Sequence, residues 1–411
     1  MRRSLSLYAI TCLLLAGCSS GKTAALTVDH ADTLVDQPVH LRVIGAPAGK
    51  AVQVEAAAVD ADGKTWHSQA TFTADTDGTV DLDGAKPSGG SYQDADGMGL
   101  FWSMDPPDGD PDNALYVPPV DHGQRRQHVD VFVSSHGKRI VSTSITRHWL
   151  SPGTTTRSAP PGLTGTYVVP KPDGRRHPAV LLLGGSEGGL PPQEDAALLA
   201  SHGYPVLMLA YFNAPGRPAE LRNIPIEYFA AAATWLAEQR DVDPAAVVVM
   251  GTSYGTEAAL LLADHYPALI HGTILFAPSA TSTSSAPRRD GSAWTYQGKP
   301  LPIDVPIPVG GVNGPLLAVA GGADLVWESR LAAQFIIREL DAAHHKDPHQ
   351  AVVVDGAGHG VGGIPYLPRG TKLTDPAAGT LIDLGGTRAA NESALKQGWT
   401  KTLALLASLK H

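Results

Sequence analysis

Ala246-Val247-Val248-Val249-Met250-Gly251-Thr252-Ser253-Tyr254-Gly255-Thr256 joins an unbroken apolar run to the start of a segment, Thr256 to His265, with helical periodicity. Such a run is what a strand buried on both faces requires. A G-x-S-x-G turn set between strand and helix lifts a serine hydroxyl out at the carboxyl edge of a parallel sheet. The two glycines have a steric purpose, because the turn is so tight that bulkier neighbours would clash with strand and helix. The serine between them sits in strained backbone. Ser253 is therefore the candidate nucleophile.

Working outward, Ala179 to Leu183, Pro205 to Ala210, Thr273 to Phe276, Pro315 to Ala320 and Ala351 to Asp355 are further buried-strand patterns. Gln193 to Ser201 and Ile226 to Glu238 carry helical periodicity between them. Strands alternating with helices predict a doubly wound, mostly parallel α/β sheet, assigned to residues 153–411. Upstream the texture differs. Val52-Gln53-Val54-Glu55 alternates apolar and polar, Asp62-Gly63 and Asp77-Gly78 mark turns, and Trp66 to Phe72, Val129 to Val133 and Ile140 to Ile145 read as extended. That pattern predicts an all-β antiparallel sandwich over 25–150, immunoglobulin-like in architecture only, since no Cys-Trp-Cys spacing is present. Ser151-Pro152-Gly153-Thr154-Thr155-Thr156 reads as the linker. Gly45-Ala46-Pro47-Ala48-Gly49-Lys50 is one residue short of a phosphate loop and lacks the following Ser or Thr, so it is read as a turn.

The chain has 411 residues, with 31 basic against 40 acidic side chains and a net charge of −9. No Lys/Arg cluster offers a nucleic-acid footprint, so that partner is excluded. Both cysteines, Cys12 and Cys18, lie in the first twenty residues, which removes disulfides, thiolate metal sites and cysteine nucleophiles from the folded body. Met1-Arg2-Arg3 followed by the apolar Leu5 to Leu15 reads as a secretory signal over 1–18. Its end, Leu15-Ala16-Gly17-Cys18, resembles the lipobox of bacterial lipoproteins, which implies acylation of Cys18, a short tether over 19–24, and an exported protein held on a membrane surface.

A serine hydroxyl needs a histidine base and an acid to orient that base, in the chain order serine, acid, histidine on this fold. His359 lies in Gly356-Ala357-Gly358-His359-Gly360 just past a strand and is the candidate base; His344, His345 and His349 fall in a polar stretch read as a solvated helix end or loop, and His411 is terminal. Asp324 emerges just past the Pro315 to Ala320 strand and is the candidate acid. Glu328 in the next helix and Asp355 inside a strand are the competitors. Oxyanion donors are expected at the Tyr254 amide and in Gly184-Gly185-Ser186-Glu187-Gly188-Gly189, with Ser186 ranked before Gly185 and Glu187 read as solvated. No H-E-x-x-H pattern or thiolate supports a metal, and no cofactor is called for. Pro278 to Asn313 is too long for a plain connection and is read as either a lid over an acyl pocket or a surface loop.

These residues, together with Met98-Gly99-Leu100-Phe101-Trp102-Ser103-Met104, Arg147-His148-Trp149, Gly188-Gly189-Leu190, Leu199 to Tyr204, Ala210-Tyr211-Phe212, Glu227-Tyr228-Phe229, Trp294 to Pro302 and Trp327-Glu328-Ser329, resemble the acyl-CoA thioesterase and bile acid-CoA:amino acid N-acyltransferase family over nearly the whole chain after the leader. The resemblance implies a β-sandwich before an α/β-hydrolase domain, with Ser253, Asp324 and His359 as triad. It implies cleavage of a fatty acyl-CoA to free acid and CoA, or passage of the acyl group to an amino acid; for this exported chain the expected substrate is a small-molecule acyl thioester or acyl ester, with acyl transfer to an amine or alcohol and plain carboxylesterase action as the alternatives. Amine-transferring members usually carry a cysteine nucleophile, so serine implies hydrolysis; Tyr254 stands where many members have Lys.

Overall fold

The structure, a computed structural model, describes residues 23–287, 289–374 and 380–410. Cys12, Cys18, the leader and His411 lie outside the described residues.

The first part is a two-sheet sandwich. Asp32–Leu34, Lys138–His148, Arg126–Ser135, Ala51–Val59, Thr65–Thr73 and Gly89–Gly90 lie side by side in one sheet, and Ala25–Val28, Leu41–Ile44 and Val80–Asp81 form the other. Alternate residues of Ala51–Val59 are buried, as a strand with one face on a core demands. Leu41, Val43 and Val80 of the small sheet share that core with Val52, Val54, Phe72 and Val131. Asp32–Leu34 departs from the antiparallel expectation by running parallel to Lys138–His148. It reaches that edge from the far end of the domain, and no hairpin dictates its direction. Gly45 to Lys50 is the turn between Leu41–Ile44 and Ala51–Val59, with Gly45 and Gly49 at positive φ.

The second part is an eight-stranded sheet in the order Thr155–Ser158, Gly165–Val169, Val206–Leu209, His177–Leu183, Val242–Thr252, Thr273–Phe276, Leu316–Gly321, His349–Val354. Pairing is antiparallel for the first two neighbours and parallel from Val206–Leu209 onward. The stretch read as linker thus enters the sheet through Thr155–Ser158. This edge strand is exposed along its length and polar, so it carried no apolar signal. Gln193–Ser201 and Arg388–Ser408 pack on one face, in a core continuous with that of the sandwich. Ile226–Ala237, Tyr254–His265 and Ser329–Ala342 cover the other face. This is the α/β-hydrolase arrangement, and its parallel strands end at one rim where connecting loops can converge.

Two local expectations need correction. His349 opens the last strand, where its Nε2 pairs with Asp341 at 2.9 Å, and His345 is tucked in with its Nε2 on the Gly314 carbonyl, so of the three histidines His344 alone is exposed, in the turn after Ser329–Ala342. Residues 278–287 and 289–313 are more than a surface loop, although most of 297–306 is exposed. They form short strands around a fully buried Trp294, whose ring packs near Tyr211 and Phe229 and whose indole N–H donates to Glu257 at 2.8 Å.

Candidate active site

Ser253 sits between Val242–Thr252 and Tyr254–His265 at φ +55° and ψ −124°, a backbone region that a non-glycine residue holds only when its surroundings impose it. The surroundings do so through both glycines. A Cβ on Gly251 would stand 2.2 Å from the Gly255 carbonyl oxygen, and a Cβ on Gly255 would stand 2.5 Å from the Gly184 carbonyl oxygen. The Ser253 amide is tied to the Phe276 carbonyl at 2.9 Å, which fixes the elbow to the next strand.

Three loops from three strand ends bring the expected side chains together. His359 Nε2 lies 3.0 Å from Ser253 Oγ, and His359 Nδ1 lies 2.9 Å from Asp324 Oδ2. Asp324 has a side chain only 1% exposed. Burial pushes its carboxyl up, but the hydrogen bond and charge of His359, with the Ser329 hydroxyl and the Val326 amide, outweigh burial and hold it below the usual carboxylate range. An ionised carboxylate only accepts, so Nδ1 carries the proton and Nε2 is left as the acceptor for the serine hydroxyl. The other Asp324 oxygen accepts from the Val326 and Trp327 amides at 2.9 and 3.2 Å. Glu328 and Asp355 are not part of this chain of hydrogen bonds; Asp355 pairs with Arg330.

The loop after His177–Leu183 passes directly against the nucleophile, since a Cβ on Gly185 would meet the Ser253 Cβ at 3.0 Å. Glu187 is not simply solvated: its carboxylate turns back and accepts the Gly185 amide at 2.8 Å. That commitment removes Gly185 as an oxyanion donor. Among the described residues, the Ser186 and Tyr254 amides have no protein acceptor, which leaves these two free for a developing oxyanion.

Sequence reasoning missed the groups that hold the base. The His359 amide donates to the Leu384 carbonyl at 2.8 Å, Asp324 bridges to Gly385, and Ala357 bridges to Gly386. Asn391, 2% exposed, accepts the Gly358 amide at 2.8 Å. Trp327 places its ring edge-on to both Tyr254 and His359, and its indole N–H reaches the Ala277 carbonyl at 3.2 Å. The one local signal was the Gly385-Gly386 pair ahead of Thr387. Both glycines have positive φ, and a Cβ on either would lie within 2.2 Å of a backbone atom of the acid or base loop.

A sheet of this topology, with serine, imidazole and carboxylate in hydrogen-bonding sequence at its carboxyl rim, defines a serine hydrolase fold with a complete nucleophile-activating set. Its family is narrower. Residues 36–159 match the family model described as "Acyl-CoA thioester hydrolase/BAAT N-terminal region", and residues 224–293 and 303–409 match "BAAT / Acyl-CoA thioester hydrolase C terminal". The chain belongs to this acyl-CoA thioester hydrolase/BAAT family. Among its relatives, acyl-coenzyme A amino acid N-acyltransferase 1 of Mus musculus is 27% identical over 402 residues, covering 91% of this chain and 95% of that protein. Acyl-coenzyme A thioesterase 6 of Mus musculus is 25% identical, covering 92% and 95%. Acyl-coenzyme A thioesterase 2, mitochondrial, of Homo sapiens is 26% identical, covering 89% and 80%.

Proposed function

We propose that the protein is a serine-dependent hydrolase of acyl thioesters or esters, acting through an acyl-serine intermediate. The observation that carries this reading is the unbroken chain Ser253 Oγ, His359 Nε2, His359 Nδ1, Asp324 Oδ2 at 3.0 and 2.9 Å. His359 takes the serine proton as Oγ attacks the acyl carbonyl, and Asp324 stabilises the imidazolium that forms. The Ser186 and Tyr254 amides receive the oxyanion. His359 then returns the proton to the departing thiol or alcohol. In the second half-reaction it activates water, which releases the acid and restores Ser253.

A second reading, acyl transfer to an amine or alcohol acceptor, is favoured by the relatives named as amino acid N-acyltransferases. It uses the same acyl-serine and differs only in what attacks it. The leader and the Leu15-Ala16-Gly17-Cys18 pattern support export and a lipid anchor at Cys18, so the substrates in view are acyl compounds met on the outer side of the membrane. The test is turnover of an acyl-CoA and a p-nitrophenyl ester of matched chain length, with and without glycine or taurine, by the wild type and Ser253→Ala. Free acid as the sole product, lost in the variant, is the expected result. An amide product in the presence of the amine selects the transferase reading, and undiminished turnover by the variant overturns both. Mass spectrometry of the membrane fraction, with and without Cys18→Ala, tests the anchor.

A further inference from the structure

The C-terminal helix Arg388–Ser408 lies between the two halves of the molecule. Its Leu395, Trp399 and Leu406 are buried, and Gly398 lets it approach so closely that a Cβ there would meet the Phe276 ring at 2.9 Å. Three side chains spaced along it reach the sandwich. Arg388 Nη1 donates to Asp105 Oδ1 at 2.6 Å and its Nη2 to the Met104 carbonyl at 2.5 Å. Lys396 reaches Asp96 at 3.1 Å, and the Trp399 indole N–H reaches Asp36 at 2.7 Å. Asp105 is itself locked into the sandwich, exchanging both backbone hydrogen bonds with His67.

The first turn of this helix is also what holds the base loop. Thr387 caps the helix through the Ala390 amide and donates its own amide to the Gly356 carbonyl at 3.2 Å. Asn391, one turn on, takes the Gly358 amide. Just before the cap, Leu384 accepts the His359 amide, while Gly385 and Gly386 pair with the acid and base loops. The guanidinium that grips the sandwich is therefore one residue from the cap and three from the side chain that fixes Gly358. Arg388 is only 16% exposed, and its pair with Asp105 is supported by the Met104 carbonyl, so it is more constrained than a freely solvated surface ion pair.

We propose that Arg388 is a positioning residue for His359: by gripping Asp105 and Met104 it makes the sandwich domain part of the frame that holds the general base against Ser253. This rests on the triad reading given above. A small angular drift of the first turn moves Gly358, and with it the imidazole, relative to a nucleophile that the elbow keeps fixed. Misplacement of a catalytic group by about 1 Å costs rate on the order of a hundredfold. The groups this turn holds belong to the base loop, so the loss is expected on kcat rather than KM.

The test uses the full chain in four forms: wild type, Arg388→Met, Arg388→Lys and Asp105→Asn. Leu405→Ala, near the other end of the same helix, serves as a purely structural control. Four quantities are measured: kcat and KM on a p-nitrophenyl acyl ester, the second-order rate of Ser253 labelling by a fluorophosphonate, and Tm. Arg388→Met is expected to lower kcat and the labelling rate together by about tenfold or more, with KM within about twofold. Arg388→Lys recovers most of both, because an ammonium still pairs with Asp105. Asp105→Asn gives an intermediate loss from the sandwich side and serves where Arg388→Met fails to fold. Leu405→Ala lowers Tm without changing kcat. A lowered Tm with wild-type kcat and labelling in both Arg388→Met and Asp105→Asn overturns the proposal. Wild-type turnover by Ser253→Ala instead overturns the triad reading, whatever Arg388 does.

Discussion

The nucleophile and the base are placed by opposite means. Ser253 is fixed by its own neighbourhood: two glycines within five residues, the strand before and the helix after, and a carbonyl clash waiting at 2.2 Å for any side chain at Gly251. His359 is fixed from a distance. Its loop is held by residues 384–391, and those in turn by Asp105, which lies 283 positions from Arg388. The lesson is that a strained turn can be written locally, because its cost is met by adjacent covalent geometry. A general base on a glycine-rich loop must borrow rigidity from tertiary contacts.

The largest effect tests whether the two regions act as one unit. His359→Ala is expected to lower kcat by about four orders of magnitude or more, and Ser253→Ala by a similar factor. The double variant should be no worse than either single one, because each half is useless without the other. Losses that multiply, measured as kcat on one ester, would mean that serine and imidazole do not work together. Next is the elbow itself. Gly251→Ala should reduce turnover about a hundredfold or more, or prevent folding, because the new methyl meets backbone rather than a movable side chain. Gly49→Ala supplies the contrast: φ is +66° with nothing within 4 Å, so thermal unfolding should register about 1 kcal/mol and activity should be unchanged.

On the base side, Asn391→Ala leaves the buried Gly358 amide without its acceptor. A loss of about 1–3 kcal/mol in stability and a kcat reduction of about tenfold are expected, with KM little changed. A Tm that falls while kcat holds would show that Asn391 supports the helix but not the imidazole, and the contrast between local and distant placement would weaken.

How much of this was readable follows the same division. The elbow, the flanking strand and helix, and the Gly-His-Gly loop announced themselves because hydrophobic period and glycine spacing are local signals. Thr273–Phe276 and Gln193–Ser201 were delimited to the residue. Thr155–Ser158 was invisible because an exposed polar edge strand has no apolar side to display. Asn391 and Arg388 were invisible for a different reason: an Asn and an Arg in a helix's first turn look like ordinary surface residues until a loop from elsewhere is laid against them. Glu187 is exposed, as its charge suggests, but its bond to the Gly185 amide was not legible, because an exposed carboxylate that folds back on its own loop has the same sequence signature as one that meets water alone.

The last effect, which falls on stability and its pH dependence and not on turnover, qualifies the claim that the elbow is wholly local. Glu257, fully buried one turn into the nucleophile helix, accepts from the Trp294 indole at 2.8 Å and from the Thr283 amide at 2.9 Å, which ties that helix to residues 278–313. Burial pushes its carboxyl up to about 7, with the hydrogen bonds of Trp294 and Thr283 offsetting only part of that rise. A folded-state value above the unfolded one means that the folded protein holds the proton more tightly. The associated stability is complete below the unfolded carboxyl range and is lost as pH rises through about 7. Glu257→Gln removes this titration while keeping an acceptor for Trp294. Between pH 4.5 and pH 8, urea unfolding of the wild type should lose on the order of 3 kcal/mol more than the variant does. The same subtraction cancels Glu392, whose carboxyl burial pushes to about 8 and whose contribution has the same sign. Equal pH slopes in the two proteins would mean that Glu257 is charged in the folded state. The nucleophile helix would then be anchored by an ion in apolar surroundings rather than by a neutral acid, and its attachment to residues 278–313 would be a burden on stability across the whole neutral range.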